Sequence, residues 1–189
     1  MKQKEVNDEK FDKHDFSITG LAEKEFASCT FSNCNFSDVN LVDKEFVDCE
    51  FNNCNLSNVQ LKNTGLKDVR FINCKLIGID FGVCKEFLLK INFDKCRLDY
   101  SVFFQMNMKK TAFHGCIIRE CSFRETNLSN ANFSDCNLER TTFEMSNLSR
   151  ADFKTAYNYS INPEVNTLKG AKFAYPAVLG LLDKYGIEI

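Results

Sequence analysis

The sequence predicts a solenoid, from a repeat of five residues, a repeat of twenty, and a column of cysteines in step with both. Counting in fives from Phe11 gives Phe11, Phe16, Leu21, Phe26, Phe31, Phe36, Leu41, Phe46, Phe51, Leu56, Leu61, Leu66, Phe71, Leu76 and Phe81, every one Phe or Leu. A period of five fits neither the roughly 3.6 residues of a helical turn nor the roughly 2 of a flat strand, so the chain must turn after each short segment to keep these residues pointing one way.

Positions twenty apart show that four such units make one coil. One column reads Phe11, Phe31, Phe51, Phe71, Phe93, Phe113, Phe133, Phe153 and Phe173, with a single step of 22. A second holds Phe36, Leu56, Leu76, Leu98, Ile118 and Leu138, a third Leu21, Leu41, Leu61, Phe81, Phe103, Phe123 and Phe143. The fourth holds Phe26, Phe46, Leu66, Phe87, Met108, Leu128, Leu148 and Leu168. Two residues before each central position the chain also points inward and takes a small side chain. Cys34, Cys54, Cys74, Cys96, Cys116 and Cys136 occupy this position in six consecutive coils, Cys29 and Cys49 stack in the neighbouring column, Cys121 lies in a third, and Cys84 is out of register. Elsewhere the position holds Thr126, Ala131, Thr141, Ser146 and Ala151, so cysteine here reads as a small core hydrophobe.

The pattern breaks in three places. The coil between Phe71 and Phe93 carries two extra residues, and KEF at 24–26, 44–46 and 85–87 assigns Phe87 to the column of Phe26 and Phe46, displaced by one, with the second extra residue before Phe93. Such insertions are accommodated as outward bulges. Lys24, Lys44 and Lys85 stand at nominally inward positions; an unpaired ammonium is costly to bury, so they are expected to turn outward or to pair locally. After Phe173, Pro176 suits a first helical turn and Gly186 a helix end, while Val178, Leu181, Leu182 and Tyr185 at helical spacing make one apolar face. The expected division is a tail at 1–10, the solenoid at 11–173, and a short C-terminal α-helix and tail at 174–189. That helix covers the last coil as a cap, or joins two copies through a self-matching surface.

The remaining chemistry is sparse. A net charge of −2 excludes a generally basic nucleic-acid binder, and no apolar run approaches the roughly 18 residues of a membrane helix, so a cytoplasmic protein is expected. Two isolated histidines, His14 at an inward position of the first coil and His114 just after a central Phe, suggest no triad, and cysteines spaced by five and twenty do not converge as zinc ligands do. Parallel side chains and a reducing cytosol argue for free thiols. No phosphate loop or dinucleotide fingerprint is present, and no cofactor, metal or catalytic residue is assigned. Charge is uneven: residues 1–50 hold 12 Asp and Glu against 6 Lys, a net of −6, and the remaining 14 acids and 18 bases give +4.

The units CNFSD at 34–38, CNLSN at 54–58, TNLSN at 126–130, ANFSD at 131–135, CNLER at 136–140 and SNLSR at 146–150 give the sequence a resemblance to pentapeptide-repeat proteins over residues 11–173. The resemblance implies an all-β fold, a right-handed quadrilateral β-helix, with coils about 4.8 Å apart and a rod on the order of 40 Å long. Within that family the chain is similar to the Qnr-type quinolone-resistance proteins, which implies a non-enzymatic, DNA-mimicking dimer that engages DNA gyrase or topoisomerase IV. The alternative is a scaffold for another protein partner. Gyrase binding would run through the acidic cluster Glu23, Glu25, Asp43, Glu45, Asp48 and Glu50, and the homodimer contact through Val178, Leu181, Leu182 and Tyr185, without direct nucleic-acid or membrane binding.

Overall fold

The computed structural model describes residues 5–187 and shows a four-faced parallel β-solenoid. Glu5–Asn7, Glu25–Ala27, Glu45–Val47 and Gly65–Lys67 form one parallel sheet, and Lys10–Asp12, Thr30–Ser32, Glu50–Asn52, Val69–Ile72, Ile91–Asp94 and Phe113–His114 form another. The other two faces pair through single bridges. Asp15, Asn35, Asn55, Lys75, Arg97, Ile117, Asn137 and Tyr157 follow one another up one face, while Asp80, Val102, Ser122 and Thr142 do so on the face next to it. Each partner lies one coil away, so the register is the repeat.

The nine-phenylalanine column is the spine of the core. Its eight intervals are all stacked ring pairs, with centroids 4.7 to 5.5 Å apart. Rings from neighbouring columns meet it edge-on, as Phe103 meets Phe113 at 6.2 Å and 89°. Both arrangements suit the quadrupoles of aromatic rings. The small inward residues have a second task. Many that carry a donor give it to the carbonyl of a central residue 23 positions earlier: Cys54 to Phe31 at 3.3 Å, Cys74 to Phe51 at 3.2 Å, Thr64 to Leu41 at 2.7 Å, and Cys136 to Phe113 at 3.1 Å. Cys, Thr and Ser therefore interchange here because each is small and carries a donor.

The corners follow a rule of their own. The second residue after the central one is left-handed at almost every unit, as at Asn33, Asp38, Asp43, Asp48, Asn53, Asn58, Asn63, Asp68 and Asn73, with φ between 51° and 61°. Asn and Asp tolerate this conformation best among residues with a side chain. Their amides also form ladders: Asn33 donates to Asp12 at 2.8 Å and Asn58 to Asp38 at 3.2 Å.

Four details differ from the sequence reading. The solenoid starts before Phe11, because Glu5–Asn7 pairs with Glu25–Ala27 and Lys10–Asp12 with Thr30–Ser32; residues 5–10 belong to the first coil rather than a tail, and 1–4 lie outside the described residues. His14 is exposed, stacked on Phe16, and not inward. Phe87 does not join the column of Phe26 and Phe46. It is 72% exposed, with the Lys67 ammonium 5.7 Å from its ring centroid, and Leu89 packs against the core instead. Lys85 N–H bonds to the Thr64 carbonyl at 2.9 Å and Lys90 N–H to that of Leu66 at 3.0 Å; the backbone is pinned at these two points and both extra residues swing out between them.

The fourth difference is at the C-terminus, where two 3-10 helices, Ala177–Leu181 and Asp183–Tyr185, replace the expected α-helix. Gly180 explains the change. Its carbonyl accepts from Ile161 N–H at 3.1 Å, and a Cβ there would sit 2.0 Å from the Tyr159 carbonyl oxygen, so the segment is drawn flat onto the last coil. Ala177 and Leu181 pack against the core, and Gly186 ends the segment with φ of 60°.

Candidate functional site

Five of the six acidic residues lie on one face of two adjacent coils and its flanking corners. Glu25 and Glu45 are register partners in the middle of the face, in a column that begins with Glu5 and ends at Gly65. Glu23 and Asp43 precede the face, Asp48 follows it, and Glu50 opens the next face beside Thr30 and Arg70.

Electrostatics divide this cluster. Glu45 lies against Lys85 and has Lys67 Nζ 3.1 Å from Oε2. Burial opposes its charge, but the two ammoniums outweigh it and hold the carboxyl below its usual value. Gly65 makes room, since a Cβ there would collide with the Glu45 carboxylate. Glu50 pairs with Arg70 at 2.8 Å, and Asp43 accepts from Asn63 at 2.5 Å. Glu25 and Asp48 have no ion-pair partner among the described residues. The acidic surface is therefore open toward the first coils and neutralised toward the middle of the rod. Of the three inward lysines, Lys24 is exposed, Lys85 pairs with Glu45, and Lys44 reaches in, donating to the carbonyls of Leu21 and Glu23 at 2.5 and 2.7 Å. Burial lowers its pKa, with the Glu23 charge opposing.

The structure separates the four residues expected at a dimer contact. Leu181 is committed to this chain's own core, Val178 and Leu182 are half-buried, and Tyr185 is exposed with its hydroxyl donating to Glu164 at 3.1 Å. Lys184 pairs with the same carboxylate. The segment is first a cap, and only its outer side is free for a second copy.

The cysteines and histidines are not drawn together. All ten thiols are free and nine are buried, Cys84 being half-exposed. Burial pushes the Cys34 thiol up to about 11 and that of Cys49 up to about 12, which leaves little thiolate at neutral pH. His114 bonds to Asp94 at 2.9 Å on the surface. Among the described residues no three His, Cys, Asp or Glu side chains form a group able to hold a metal.

One buried charge escaped the sequence reading. The Asp99 side chain is 2% exposed and bound by Arg97 at 2.6 Å and by Arg119 at 2.8 Å, residues brought beside it by steps of two and twenty. Burial penalises its charge, but the two guanidiniums hold the carboxyl below its ordinary value. A carboxyl depressed in the folded state contributes stability that is present above its unfolded pKa, about 3.9, and lost as pH falls through the folded value. Asp99→Asn is expected to cost about 1–3 kcal/mol at pH 7, and much less at pH ~3. Urea unfolding at the two values checks this; an equal loss at both would refute it.

Comparison with known proteins follows the same lines. A family model described as "Pentapeptide repeat region" matches residues 24–86 and 84–153, more than half of the chain. No curated protein matches it. Among solved structures, a trypsin-treated form of QnrB1, a plasmid-mediated fluoroquinolone resistance protein, is similar with a TM-score of 0.63 and 18% identity, covering 98% of this chain and 97% of that chain. HetL, a pentapeptide repeat protein involved in heterocyst differentiation regulation from the cyanobacterium Nostoc sp., is similar with a TM-score of 0.62 and 14% identity, covering 89% of this chain and 82% of that chain. At these identities the likeness is one of fold. The repeat, the four-faced coil and the family match agree: the chain belongs to the pentapeptide-repeat family.

Proposed function

We propose that the protein is a non-enzymatic interaction rod of the cytoplasm that binds DNA gyrase or topoisomerase IV through its acidic N-terminal coils and so modulates quinolone sensitivity. The observation that carries this reading is the register of Glu5 and Glu25, one coil apart ahead of the neutralised Glu45. Coil stacking repeats a carboxylate at strand spacing, about 4.8 Å, with Asp48 on the adjoining corner. A topoisomerase holds DNA by positive surface, and such an array competes for it by the same long-range attraction. The whole-length likeness in fold to QnrB1 supports the choice of partner. The homodimer is proposed through the outer side of the cap, at Val178, Leu182 and Tyr185.

A second reading, a scaffold for a different protein, is favoured by one observation. Lys67, Lys85 and Arg70 neutralise Glu45 and Glu50, so the anionic surface covers only the first coils, whereas duplex DNA carries a charge every 1.7 Å or so. A gyrase supercoiling assay, with and without a quinolone, separates the two. Topoisomerase binding predicts a dose-dependent effect that weakens as salt rises and is lost in a Glu25→Gln, Asp48→Asn variant of unchanged melting temperature. No effect of the parent protein on gyrase or topoisomerase IV would leave the scaffold reading.

A further inference from the structure

The two-residue insertion builds a surface of its own. Where the other coils turn their large residues inward, this one lifts Phe87 and Leu88 out, 72% and 64% exposed, beside Phe104 at 40%. Leu88 and Phe104 line one cleft, and adjoining exposed apolar side chains mark interaction sites. Phe87 leans toward the N-terminal side, its ring near Lys67, and Leu88 faces the following coil. Between the lifted loop and that coil lie two clefts.

The first cleft, of about 260 Å³, has Leu88, Leu89 and Phe104 on its walls together with the polar Gln105 and Asn107, and Glu86 is its one charged side chain. The second, of about 270 Å³, is walled by Leu89, Ile91 and Met108 together with Lys90, Lys109 and Lys110. Leu89 and Asn107 line both, so the clefts are consecutive. Lys90 is paired with Asp68 at 2.5 Å, but Lys109 and Lys110 have no ion-pair partner among the described residues. Each cleft is smaller than the roughly 300–1,000 Å³ of a site for a drug-sized ligand. Two small adjoining clefts, the first with exposed Leu88 and Phe104 on its wall and the second basic, suit successive side chains of one extended chain, which rises about 3.3 Å per residue.

We propose that this groove is a docking site for an extended acidic peptide segment of a protein partner, which packs a large apolar side chain against Leu88 and Phe104 at the first cleft and places carboxylates against Lys109 and Lys110. Charge complementarity sets both the occupant and its direction, because Glu86 repels a carboxylate at the apolar end while the two unpaired lysines attract one at the other. The site lies on different coils from the acidic face and does not depend on the topoisomerase reading.

A displayed library of random twelve-residue peptides, selected on the purified full-length protein, tests the proposal. Selection is expected to enrich sequences in which Leu, Ile or Phe stands close to Asp or Glu. A synthetic peptide from that pool should lose about tenfold or more in affinity, the scale of a truncated hot spot, in each of two variants. One is Leu88→Asn, chosen because Leu88 has φ of 58°, which Asn accepts. The other joins Lys109→Gln to Lys110→Asn, Lys110 having φ of 64°. Thermal unfolding verifies that each variant is folded, and the two act at opposite ends of the groove, so either alone decides. Rising salt should weaken binding to the parent but barely affect the residual binding of the lysine variant. Enrichment of basic peptides, no enrichment, or peptides that bind both variants like the parent would overturn the proposal. So would a self-association abolished by Leu88→Asn, which would assign the patch to a second copy. Duplex DNA binding lost only in the lysine variant would make the lysines a phosphate surface and equally overturn it.

Discussion

Replacing Phe113 by Asp is expected to leave the protein unfolded. Phe113 is fully buried, stacked between Phe93 at 5.1 Å and Phe133 at 4.9 Å, and met edge-on by Phe103 and Phe123. Removing such a ring costs about 3–5 kcal/mol. The carboxylate adds a further penalty of several kcal/mol, since it has no cation or water on the axis of the rod. Together these approach the whole stability of an ordinary domain, about 5–15 kcal/mol. Phe113→Leu is the control, because Leu56, Leu66 and Leu76 serve as rungs in neighbouring columns; its cost should stay near 1–1.5 kcal/mol. Circular dichroism and urea titration read both. A soluble Phe113→Asp protein of normal stability would show that the axis runs elsewhere.

Gly180→Ala should detach the cap. The added methyl would meet the Tyr159 carbonyl oxygen at 2.0 Å, and the obstacle is backbone that cannot swing aside. The variant then loses the Ile161 hydrogen bond and the packing of Ala177 and Leu181, together about 3 kcal/mol. Uncovering the last strand edges should also promote aggregation. Tyr159→Phe is expected to act in the opposite sense. The Tyr159 hydroxyl is buried with no hydrogen-bond partner among the described residues, and deleting it should stabilise the capped end by about 1–3 kcal/mol. Melting temperatures of the three proteins compare directly. An unchanged Gly180→Ala melt would mean the segment does not dock as described.

The reasons for what the sequence did and did not reveal are physical. A central Phe or Leu recurs because each coil buries its rung against the next, so one side-chain class at a fixed step was enough to place the columns, the cysteine ladder and the register. Corner conformation was also written there, in Asn and Asp two positions after the rung. Misreadings arose where local resemblance competed with packing. KEF at 85–87 copies KEF at 44–46, but Lys85 pairs with Glu45 and the backbone anchors at Thr64 and Leu66 leave Phe87 outside. Helical spacing of Val178, Leu181, Leu182 and Tyr185 gave no hint that Gly180 would be drawn onto Tyr159. Of the acidic cluster, the shared face was legible from spacing, whereas the neutralisation of Glu45 and Glu50 depends on cations one or two coils away.

The claim that the repeat encodes a core and not chemistry is tested most directly by thiol labelling of the native protein. Cys34, Cys54, Cys74, Cys96, Cys116 and Cys136 are buried, and the Cys34 thiol is pushed up to about 11 by desolvation before any other cause. Labelling followed residue by residue by mass spectrometry should find these six unreactive at neutral pH until the protein is unfolded, with half-exposed Cys84 the first to react. Rapid labelling of several of the six in the folded protein, or stoichiometric zinc bound to it, would contradict the account.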